Sequence, residues 1–452
     1  MSKRKVHFIG IGGIGISALA RYFLAQNWLI SGSDVAKSPE TIEVERDGAK
    51  VKIGHKNSNV PYDSDLVVYS QAITSDNPEI LETKRLNIPL KSYPEALGDL
   101  THKYKTIAIA GSHGKSTTTA LTALIFMKAG LDPTVVIGTK LKEFGRQTCL
   151  PAGRNFRLGK SKYLIIEADE YKDSFLNYYP EGAIITNVDR EHLDHYKNFK
   201  NVKRGFLNFM ANLSPGGVLV LNKDDKPLAS LVKKFVNKRV IWYSTKDVKR
   251  VKQIKKVLKI PGTHNISNAL GAFYLARSFG IKEKVVLKAL SKYRGAWRRM
   301  EYKGKIKNDT LVFDDYGHHP TEIKATLQAF KDKYPERFLV CVFQPHQSRR
   351  LQILFKEFTR AFDAADVLIL LDVYKVEGRD PSMRLGASKV SHNVNSRKLA
   401  QVISNRKSSP KVFYLPHPGK LKSAVIRIIN QPSIVVMMGA GSIVNLTPKL
   451  LK

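Results

Sequence analysis

The segment AGSHGKSTTTA, residues 110–120, constrains the fold of this chain most strongly, because it contains the parts of a phosphate-binding loop. The apolar run TIAIA precedes it, and STTTALTALIFMKAG continues it with the pattern of a helix. A strand, a glycine loop, a lysine, a hydroxyl and a helix in this order are typical of P-loop proteins, although Gly111 and Gly114 are separated by two residues where the standard loop has four. We predict that Lys115 neutralises phosphate charge and that the Ser116 hydroxyl faces a magnesium ion.

Two later strands provide candidate partners for that metal ion. KYLIIEADE places Glu167 at the end of an apolar strand, with Asp169 and Glu170 just beyond it, and AIITNVDREH leads from a second strand to His192. The carboxyl ends of parallel strands meet at one edge of a sheet, where open α/β sheets bind their ligands. The sequence therefore predicts a magnesium site formed by Ser116, Glu167 and His192, although imidazole is an unusual ligand for a hard cation.

A second glycine-rich turn, GIGGIGIS, lies near the N-terminus. The short apolar strand Lys5–Ile9 precedes it, a helical pattern follows, and the next short strand ends at Asp34, where a Rossmann fingerprint has its ribose-binding acid. A later strand, LVVYS, ends at Ser70. The pattern predicts a site for a nucleotide diphosphate at the helix N-terminus. A tight turn without a ligand and an NAD dehydrogenase are the alternatives.

Charge limits the classes of partner without selecting one. The 452 residues, enough for about two to four domains, include 75 Lys and Arg against 39 Asp and Glu, a formal charge of +36. Such a charge suits nucleic acid, an anionic membrane surface or polyanionic small substrates. Residues 231–260 contain eleven Lys or Arg against the single acid Asp247. We interpret this segment mainly as solvated surface, because no RRM, KH or helix-turn-helix signature accompanies it.

The cysteines and apolar runs indicate a cytoplasmic protein. Cys149 and Cys341 lie far apart and form no C-x-x-C pair, so neither a disulfide framework nor a cysteine zinc site is indicated. No apolar run approaches the roughly 18 residues of a membrane span. The N-terminal SKRK and the apolar stretch after it imitate a signal peptide, but no A-x-A cleavage site precedes Arg21.

Seven segments resemble, in the same order, the Mur ligases of peptidoglycan synthesis: HFIGIGGIGIS, AGSHGKSTTT, EADE, TNVDREHLDHY, PGTHNISNALGA, RRME and DDYGHHPTEI. The resemblance spans almost the whole chain, and the short phosphate loop is that family's own form. It implies an α/β protein of three domains. These are a Rossmann-like UDP-sugar-binding domain over 1–103, a central P-loop ATPase-like domain with a mostly parallel sheet over 104–292, and a Rossmann-like amino-acid-binding domain over 293–452.

The resemblance also implies an activity. It predicts an ATP- and Mg²⁺-dependent carbon–nitrogen ligase that joins the lactyl carboxylate of UDP-N-acetylmuramate to L-alanine through an acyl phosphate. The expected protein is a cytoplasmic monomer or homodimer with small-molecule substrates and with neither membrane nor nucleic acid as partner. HFIGIGGIG, DDYGHHPTE and FQPH favour this activity, whereas EADEY suggests a recycling ligase that joins a peptide to the same UDP-sugar. A basic, non-catalytic nucleotide- or nucleic-acid-binding protein is the remaining alternative.

The motifs and the resemblance together give the predicted site residues. For the UDP-sugar they are Gly10, Gly12, Gly13, Ile14, Gly15, Asp34 and Ser70. For ATP they are Gly111, Ser112, His113, Gly114, Lys115, Ser116 and Thr117, with Asn265 and Asn268 at the adenine, Arg299 at the phosphates, and Asp314 and Tyr316 near the nucleotide. The predicted catalytic residues are Lys115, Glu167, His192, Arg299, His318 and His346, and His318 or His346 accepts the ammonium proton or positions the amine.

The predicted amino-acid pocket contains His318, His346, Arg349 and Arg350, and it departs from the family pattern. Family members that add L-alanine commonly have a QPHRY-type segment with a second Arg three residues after the first. This chain has FQPHQSRR, so Gln347 stands where the first Arg is expected. Gln cannot reproduce the charged, bidentate fork that Arg offers to a carboxylate. L-Alanine is therefore the expected substrate, with glycine and L-serine as alternatives.

Overall fold

The computed structural model describes residues 3–145, 153–232, 239–374 and 394–452. Cys149 lies outside these residues, whereas Cys341 is buried in a strand and its thiol is free. Within the described residues, three sheets follow one another along the chain, and the chain divides into two compact units. The first unit is 1–258 with 266–293, and the second is 259–265 with 294–452.

The first sheet belongs to the first unit and is wholly parallel. Its strands are β1 Lys5–Ile9, β2 Leu29–Asp34, β3 Lys50–Ile53, β4 Leu66–Tyr69 and β5 Leu90–Ser92, and its helices are α1 Ile14–Ala25, α2 Pro39–Arg46, α3 Pro78–Arg85 and α4 Tyr93–Thr101. The order β3-β2-β1-β4-β5 places β1 at the centre. The strand predicted over Lys5–Ile9 and the strand predicted to end at Asp34 are both confirmed. β1 pairs with β2 on one side and with β4 on the other, which is why the turns after these strands meet at one edge.

The second sheet also belongs to the first unit. Its strands are β6 Lys105–Ala110, β7 Thr134–Leu141, β8 Arg154–Arg157, β9 Tyr163–Glu167, β10 Gly182–Ile185, β11 Val218–Asn222 and β12 Arg239–Tyr243, and the helices of this region are α5 Lys115–Lys128, α6 Leu193–Tyr196, α7 Phe199–Ala211, α8 Lys226–Leu231, α9 Val248–Val257, α10 Thr263–Ser278 and α11 Glu283–Leu290. The order is β12-β11-β10-β6-β9-β7-β8, and the β7–β8 pair is antiparallel while the other pairs are parallel. β6 lies between β10 and β9, so the phosphate loop is flanked by the ends of both predicted metal-site strands.

A buried hydrogen bond and a buried ion pair join the regions of these two sheets within the first unit. The guanidinium of Arg21, on α1, is buried and donates to Asp47 (2.7 Å) and to Asn155 of β8 (2.5 Å). Lys140, at the end of β7, is also buried and donates to Glu43 of α2 (2.7 Å). Removing one partner of a buried pair leaves an uncompensated charge, so these contacts strongly constrain the packing of the two sheets.

The third sheet belongs to the second unit. Its strands are β13 Glu301–Ile306, β14 Thr310–Asp315, β15 Phe338–Phe343, β16 Val367–Leu371, β17 Lys411–Leu415 and β18 Ser433–Met438, and its helices are α12 Pro320–Lys333, α13 Ser348–Ile353, α14 Phe355–Phe358, α15 Ser396–Ser404, α16 Leu421–Ile428 and α17 Thr447–Leu451. The order is β13-β14-β18-β15-β16-β17, with an antiparallel β13–β14 pair and parallel pairs elsewhere. The central strands read as continuous apolar runs because both faces of the sheet are covered.

Candidate active site

The phosphate loop has the conformation that its glycines require. Gly111 and Gly114 have φ values of +132° and +81°, which side chains rarely adopt, and a Cβ at Gly114 would lie 2.5 Å from Asn268 Oδ1. The His113 N–H donates to Asn187 Oδ1 (2.9 Å), which ties the loop to the chain after β10. The loop residues predicted to bind ATP, 111–117, therefore occupy the turn between β6 and α5 and the first turn of α5.

Lys115 is the first residue of α5, and its side chain folds back over the loop. Its Nζ donates to Gly111 O and to Glu170 Oε2, each at 2.7 Å. Burial by itself would lower the pKa of Lys115, but the carboxylates of Glu170 and Asp169 raise it above its usual value. The ammonium is thus charged and held at the mouth of the phosphate loop.

Two of the three predicted metal ligands are in direct contact. Ser116 Oγ donates to Glu167 Oε1 (2.8 Å), and the other oxygen of Glu167 accepts a hydrogen bond from the Gly138 N–H (2.8 Å). The hydroxyl lies at the start of α5 and the carboxylate at the end of β9, the strand beside β6. This pair offers the hard oxygen ligands that Mg²⁺ prefers.

The third predicted ligand, His192, lies beside Glu170. His192 Nε2 is 3.6 Å from Glu170 Oε1, and Asp169, Glu170 and His192 can place ligand atoms within 4.8 Å of one another. Glu170 Oε1 is buried without a hydrogen-bond partner, and burial raises the pKa of this carboxyl while Lys115 opposes that rise. A buried oxygen without a donor fits a cation, so the residues present are compatible with Mg²⁺ near Glu167 and Glu170.

Both asparagines predicted at the adenine lie on α10. Asn268 packs against Gly114 of the phosphate loop. Asn265 donates from Nδ2 to the carbonyl of Pro261 (2.6 Å), so its amide orders the chain that leads into the helix. The two side chains are three residues apart and therefore lie on one face of α10.

Hydrogen bonds to the end of β2 hold the N-terminal glycine turn in place. The Gly10 N–H donates to Ser33 O (2.8 Å), and the Gly12 N–H donates to Asp34 Oδ2 (2.8 Å). Gly13 is the N-cap of α1, and Ile14 and Gly15 begin the helix. Ser70 follows β4 and lies beside Gly10, because a Cβ on Gly10 would be 3.0 Å from the Cβ of Ser70. The predicted UDP-sugar residues are therefore brought to one edge of the first sheet.

A buried carboxylate beneath this turn was missed from the sequence. Glu79 is fully buried and accepts hydrogen bonds from His7 Nε2 (2.9 Å), Ser33 Oγ (2.7 Å) and Asn59 Nδ2 (2.8 Å). Burial by itself would raise the pKa of Glu79, but these donors lower it to about 2. The network fixes Ser33, the neighbour of Asp34. The sequence signal for Glu79 was a charged residue in the first turn of a short helix. The same signal also accompanies ordinary helix capping.

In the second unit, Arg299, Tyr316 and Asp314 surround the end of β14. The Arg299 guanidinium lies 5.1 Å from the Tyr316 ring centre, and its Nη1 is 3.7 Å from Glu322 Oε1. Asp314 is buried, one of its oxygens accepts a hydrogen bond from the Thr447 hydroxyl, and burial raises its pKa to about 6. Arg299 and Tyr316 are thus brought together, while Asp314 is held within the fold.

The contacts of two histidines in the second unit favour opposite tautomers of the neutral imidazole ring. His318 Nδ1 is 3.0 Å from the Tyr316 carbonyl, which only accepts, so Nδ1 carries the proton and Nε2 carries the lone pair of the neutral ring. His346 Nδ1 is 3.3 Å from Arg350 Nη1, which only donates, so the proton of the neutral His346 ring is on Nε2. The two ring centres are 6.0 Å apart. The neighbouring His319 caps α12 as a buried turn residue.

The departure at Gln347 occurs at a strained turn. Gln347 has φ +68° and precedes α13, which carries Arg349 and Arg350. Its N–H donates to Tyr374 O (3.0 Å), and the Tyr374 ring stacks on His346 at 5.7 Å. Arg350 reaches His346, whereas Arg349 is exposed. The four predicted amino-acid residues therefore share one region of the second unit.

The phosphate loop carries a charged side chain, and a pair of oxygen ligands lies beside it. The chain contains two further α/β regions. Together, these features define the class of this protein as the nucleotide-dependent α/β enzymes of three domains. Three family profiles match the chain in order: "Mur ligase family, catalytic domain" over 5–105, "Mur ligase middle domain" over 109–276, and "Mur ligase, glutamate ligase domain" over 298–441. The chain belongs to the Mur ligase family.

Individual relatives match over nearly their full length. The UDP-N-acetylmuramate–L-alanine ligase of Aquifex aeolicus is 40% identical over 470 residues, with 99% of this chain and 97% of that protein covered. The ligase of the same name from Clostridium botulinum, strain Loch Maree, is 38% identical, with 97% and 96% covered.

Solved structures share the fold. A UDP-N-acetylmuramate–alanine ligase from Thermotoga maritima matches with a TM-score of 0.80 at 24% identity, and 99% of this chain and 98% of that chain are covered. A murein peptide ligase from Psychrobacter arcticus matches with a TM-score of 0.69 at 23% identity and the same coverage. The three-domain α/β architecture predicted from the sequence is confirmed. Among the described residues, no helix is long and apolar enough to cross a bilayer.

Proposed function

We propose that this protein is an ATP-dependent ligase that forms an amide bond between the lactyl carboxylate of UDP-N-acetylmuramate and L-alanine, in the synthesis of peptidoglycan precursors. The observation that carries the ligase chemistry is the convergence of Lys115, Ser116 and Glu167 on the phosphate loop. Full-length similarity to ligases named for these two substrates supports the substrate pair.

The chemistry follows from the weak electrophilicity of a carboxylate. A carboxylate oxygen attacks the γ-phosphorus, ADP leaves, and an acyl phosphate forms. The amine nitrogen then attacks the acyl carbon, phosphate leaves, and the amine loses a proton. Phosphoryl transfer depends mainly on positioning and charge neutralisation. Lys115 and Arg299 supply cations, and Mg²⁺, held by Ser116, Glu167 and His192, would neutralise phosphate charge.

We assign proton acceptance to His318. The tautomer set by the Tyr316 carbonyl leaves a lone pair on His318 Nε2, whereas His346 accepts a hydrogen bond from Arg350 and carries its proton on Nε2. His346 is therefore suited to donating a hydrogen bond to a carboxylate, and His318 to accepting a proton from the amine.

The remaining assignments follow the same proposal. The glycine turn, with Asp34 and Ser70, holds the UDP-sugar. The nucleotide is bound by Asn265, Asn268, Asp314 and Tyr316. His318, His346, Arg349 and Arg350 form the amino-acid pocket. The domains extend over 1–103, 104–292 and 293–452, and the enzyme is a cytoplasmic monomer or homodimer.

A phosphate-release assay with ATP, Mg²⁺ and UDP-N-acetylmuramate tests the proposal directly. L-Alanine should give the highest kcat/KM in a panel with glycine, L-serine and the tripeptide L-alanyl-γ-D-glutamyl-diaminopimelate. A preference for the tripeptide would identify a recycling ligase instead.

In a companion measurement, UDP-N-acetylmuramate should raise the unfolding temperature and NAD should not, because a ligand that binds the folded state stabilises it. Stabilisation by NAD with none by UDP-N-acetylmuramate would contradict the assignment of the UDP-sugar to the glycine turn.

A further inference from the structure

We propose that a cavity in the second unit is a binding site for a small molecule with a flat apolar body and one anionic group. The cavity lies between residues 259–261, the β13–β14 pair and the last turns of α12. Its volume is about 420 Å³, which falls within the roughly 300–1,000 Å³ typical of small-molecule sites. None of the residues to which the ligase reaction is assigned lines it.

The floor of the cavity selects for a flat apolar body. Met300, Phe313 and Phe330 form it, and their side chains are 8%, 7% and 1% exposed. The Phe313 and Phe330 ring centres are 4.8 Å apart at 56°, and Met300 adds a polarisable thioether. Aromatic and sulfur-containing surfaces pack well against a ring. The three floor side chains offer no strong hydrogen-bonding group, so the body that rests on them needs none.

The rim selects for an anion. Lys259, Arg294 and Lys333 are exposed and line the cavity, and no Asp or Glu is among its lining residues, all of which are described. Lys333 Nζ lies 3.4 Å from the Lys259 carbonyl and 5.2 Å from the Tyr334 ring, so this ammonium is positioned at the edge of the cavity. Three cations around an apolar floor match a carboxylate, sulfonate or phosphate carried at one end of an apolar body.

The cavity adjoins one residue of the proposed nucleotide site. Asn265 donates to the Pro261 carbonyl (2.6 Å) and contacts the Met300 sulfur (3.7 Å), and both Pro261 and Met300 line the cavity. Competition with ATP therefore has to be measured, because an occupant that ATP displaces would belong to the nucleotide site.

The probe is naphthalene-2-sulfonate, with naphthalene-2-methanol as its neutral analogue, titrated calorimetrically into the full-length protein at low salt. The sulfonate should bind saturably at one site, about five-fold or more tightly than the neutral compound, because the exposed rim cations attract the sulfonate charge and not the alcohol. Lys333→Ala and Arg294→Ala should weaken sulfonate binding and leave the neutral compound unchanged. Lys324→Ala, an exposed position elsewhere on α12, is the matched control and should change neither.

Leu311→Trp, which fills the cavity, should abolish binding of both compounds while the thermal unfolding profile stays cooperative. The charge variants lie at the exposed rim, so they test the proposal even if Leu311→Trp fails to fold. Equal affinity for the two compounds, an unchanged Kd in both charge variants, or competitive displacement of the sulfonate by ATP would each overturn the assignment.

Discussion

The ammonium of Lys115 donates a 2.7 Å hydrogen bond to the buried carboxylate of Glu170, and this pair holds the phosphate-loop lysine over the carbonyl of Gly111. A buried carboxylate without a cation is costly, so each member of the pair fixes the other. In the proposed reaction, the phosphates of ATP offer Lys115 a second anion at the same place. The lysine is thus positioned before the nucleotide binds.

Replacing Lys115 by Ala is expected to lower kcat about 10²- to 10³-fold, because a charge aimed at the transferring phosphoryl group is lost. Steady-state phosphate release measures this effect. Lys128→Ala, at the exposed end of the same helix, is the control and should retain parental turnover. Near-parental activity of Lys115→Ala would refute the assignment of the phosphate loop.

The metal assignment predicts different effects for neighbouring carboxylates. Glu167→Gln should raise the Mg²⁺ concentration needed for half-maximal turnover about ten-fold or more, because one anionic ligand is lost. Asp169→Asn should have a smaller effect, since Asp169 is the exposed member of its group. Magnesium titrations of both variants against the parent provide the measurement. A large shift in Asp169→Asn with none in Glu167→Gln would place the metal at Asp169, Glu170 and His192.

Arg350 is predicted to hold the carboxylate of the incoming amino acid. Arg350→Ala should raise the KM for L-alanine roughly ten- to a hundred-fold and leave the KM values for ATP and the UDP-sugar nearly unchanged, because one charge-assisted contact is removed. Arg349→Ala, at an exposed neighbour, is the comparison and should have a smaller effect. An unchanged KM for L-alanine in Arg350→Ala would exclude this pocket.

Gln347→Arg tests the departure from the family pattern. The backbone already adopts φ +68° at this position with a non-glycine residue, so the substitution adds no new backbone strain. A second cationic fork should lower the KM for L-alanine. A higher KM would instead indicate that Arg349 already occupies the space and is repelled by the new charge.

Asp314→Asn is expected to stabilise the protein at neutral pH while lowering its activity. The pKa of Asp314 is raised to about 6 by burial, so the folded state favours the protonated acid and the ionised form costs stability above that pH. The parent should lose stability relative to the variant as pH rises from about 4 to 6, by roughly 2–3 kcal/mol at pH 7.5.

Denaturant titrations at pH 4 and pH 7.5 measure this difference. Asp332→Asn, exposed on α12, is the control and should show no such pH-dependent gain. A variant less stable than the parent at pH 7.5 would show that the ionised carboxylate stabilises the fold. In that case Lys303, whose ammonium is 4.0 Å from Asp314, would outweigh burial.

The local units and their order could be predicted from the amino-acid sequence. The order of strand, glycine turn and helix recurs along the chain, because apolar runs become buried and glycines permit positive φ. The positions of Gly114 and Lys115 were therefore predictable. The end of β9 at Glu167 and the parallel sheet placed that carboxylate beside Ser116 by the same rules. The family motifs added the prediction of the substrates.

Most of the other contacts between polar groups followed only from how the chain packs in three dimensions. Glu167 and Glu170 are three residues apart, so the alternation of faces along a strand would place them on opposite sides of the sheet. Instead, Glu167 contacts Ser116 and Glu170 lies under the neighbouring Lys115. The alternation no longer applies because the chain leaves the strand between the two residues. The hydrogen bonds of the buried Glu79 come from residues distant in sequence, and the raised pKa of Asp314 is caused by burial. Such partners are set by packing, which residue spacing does not specify.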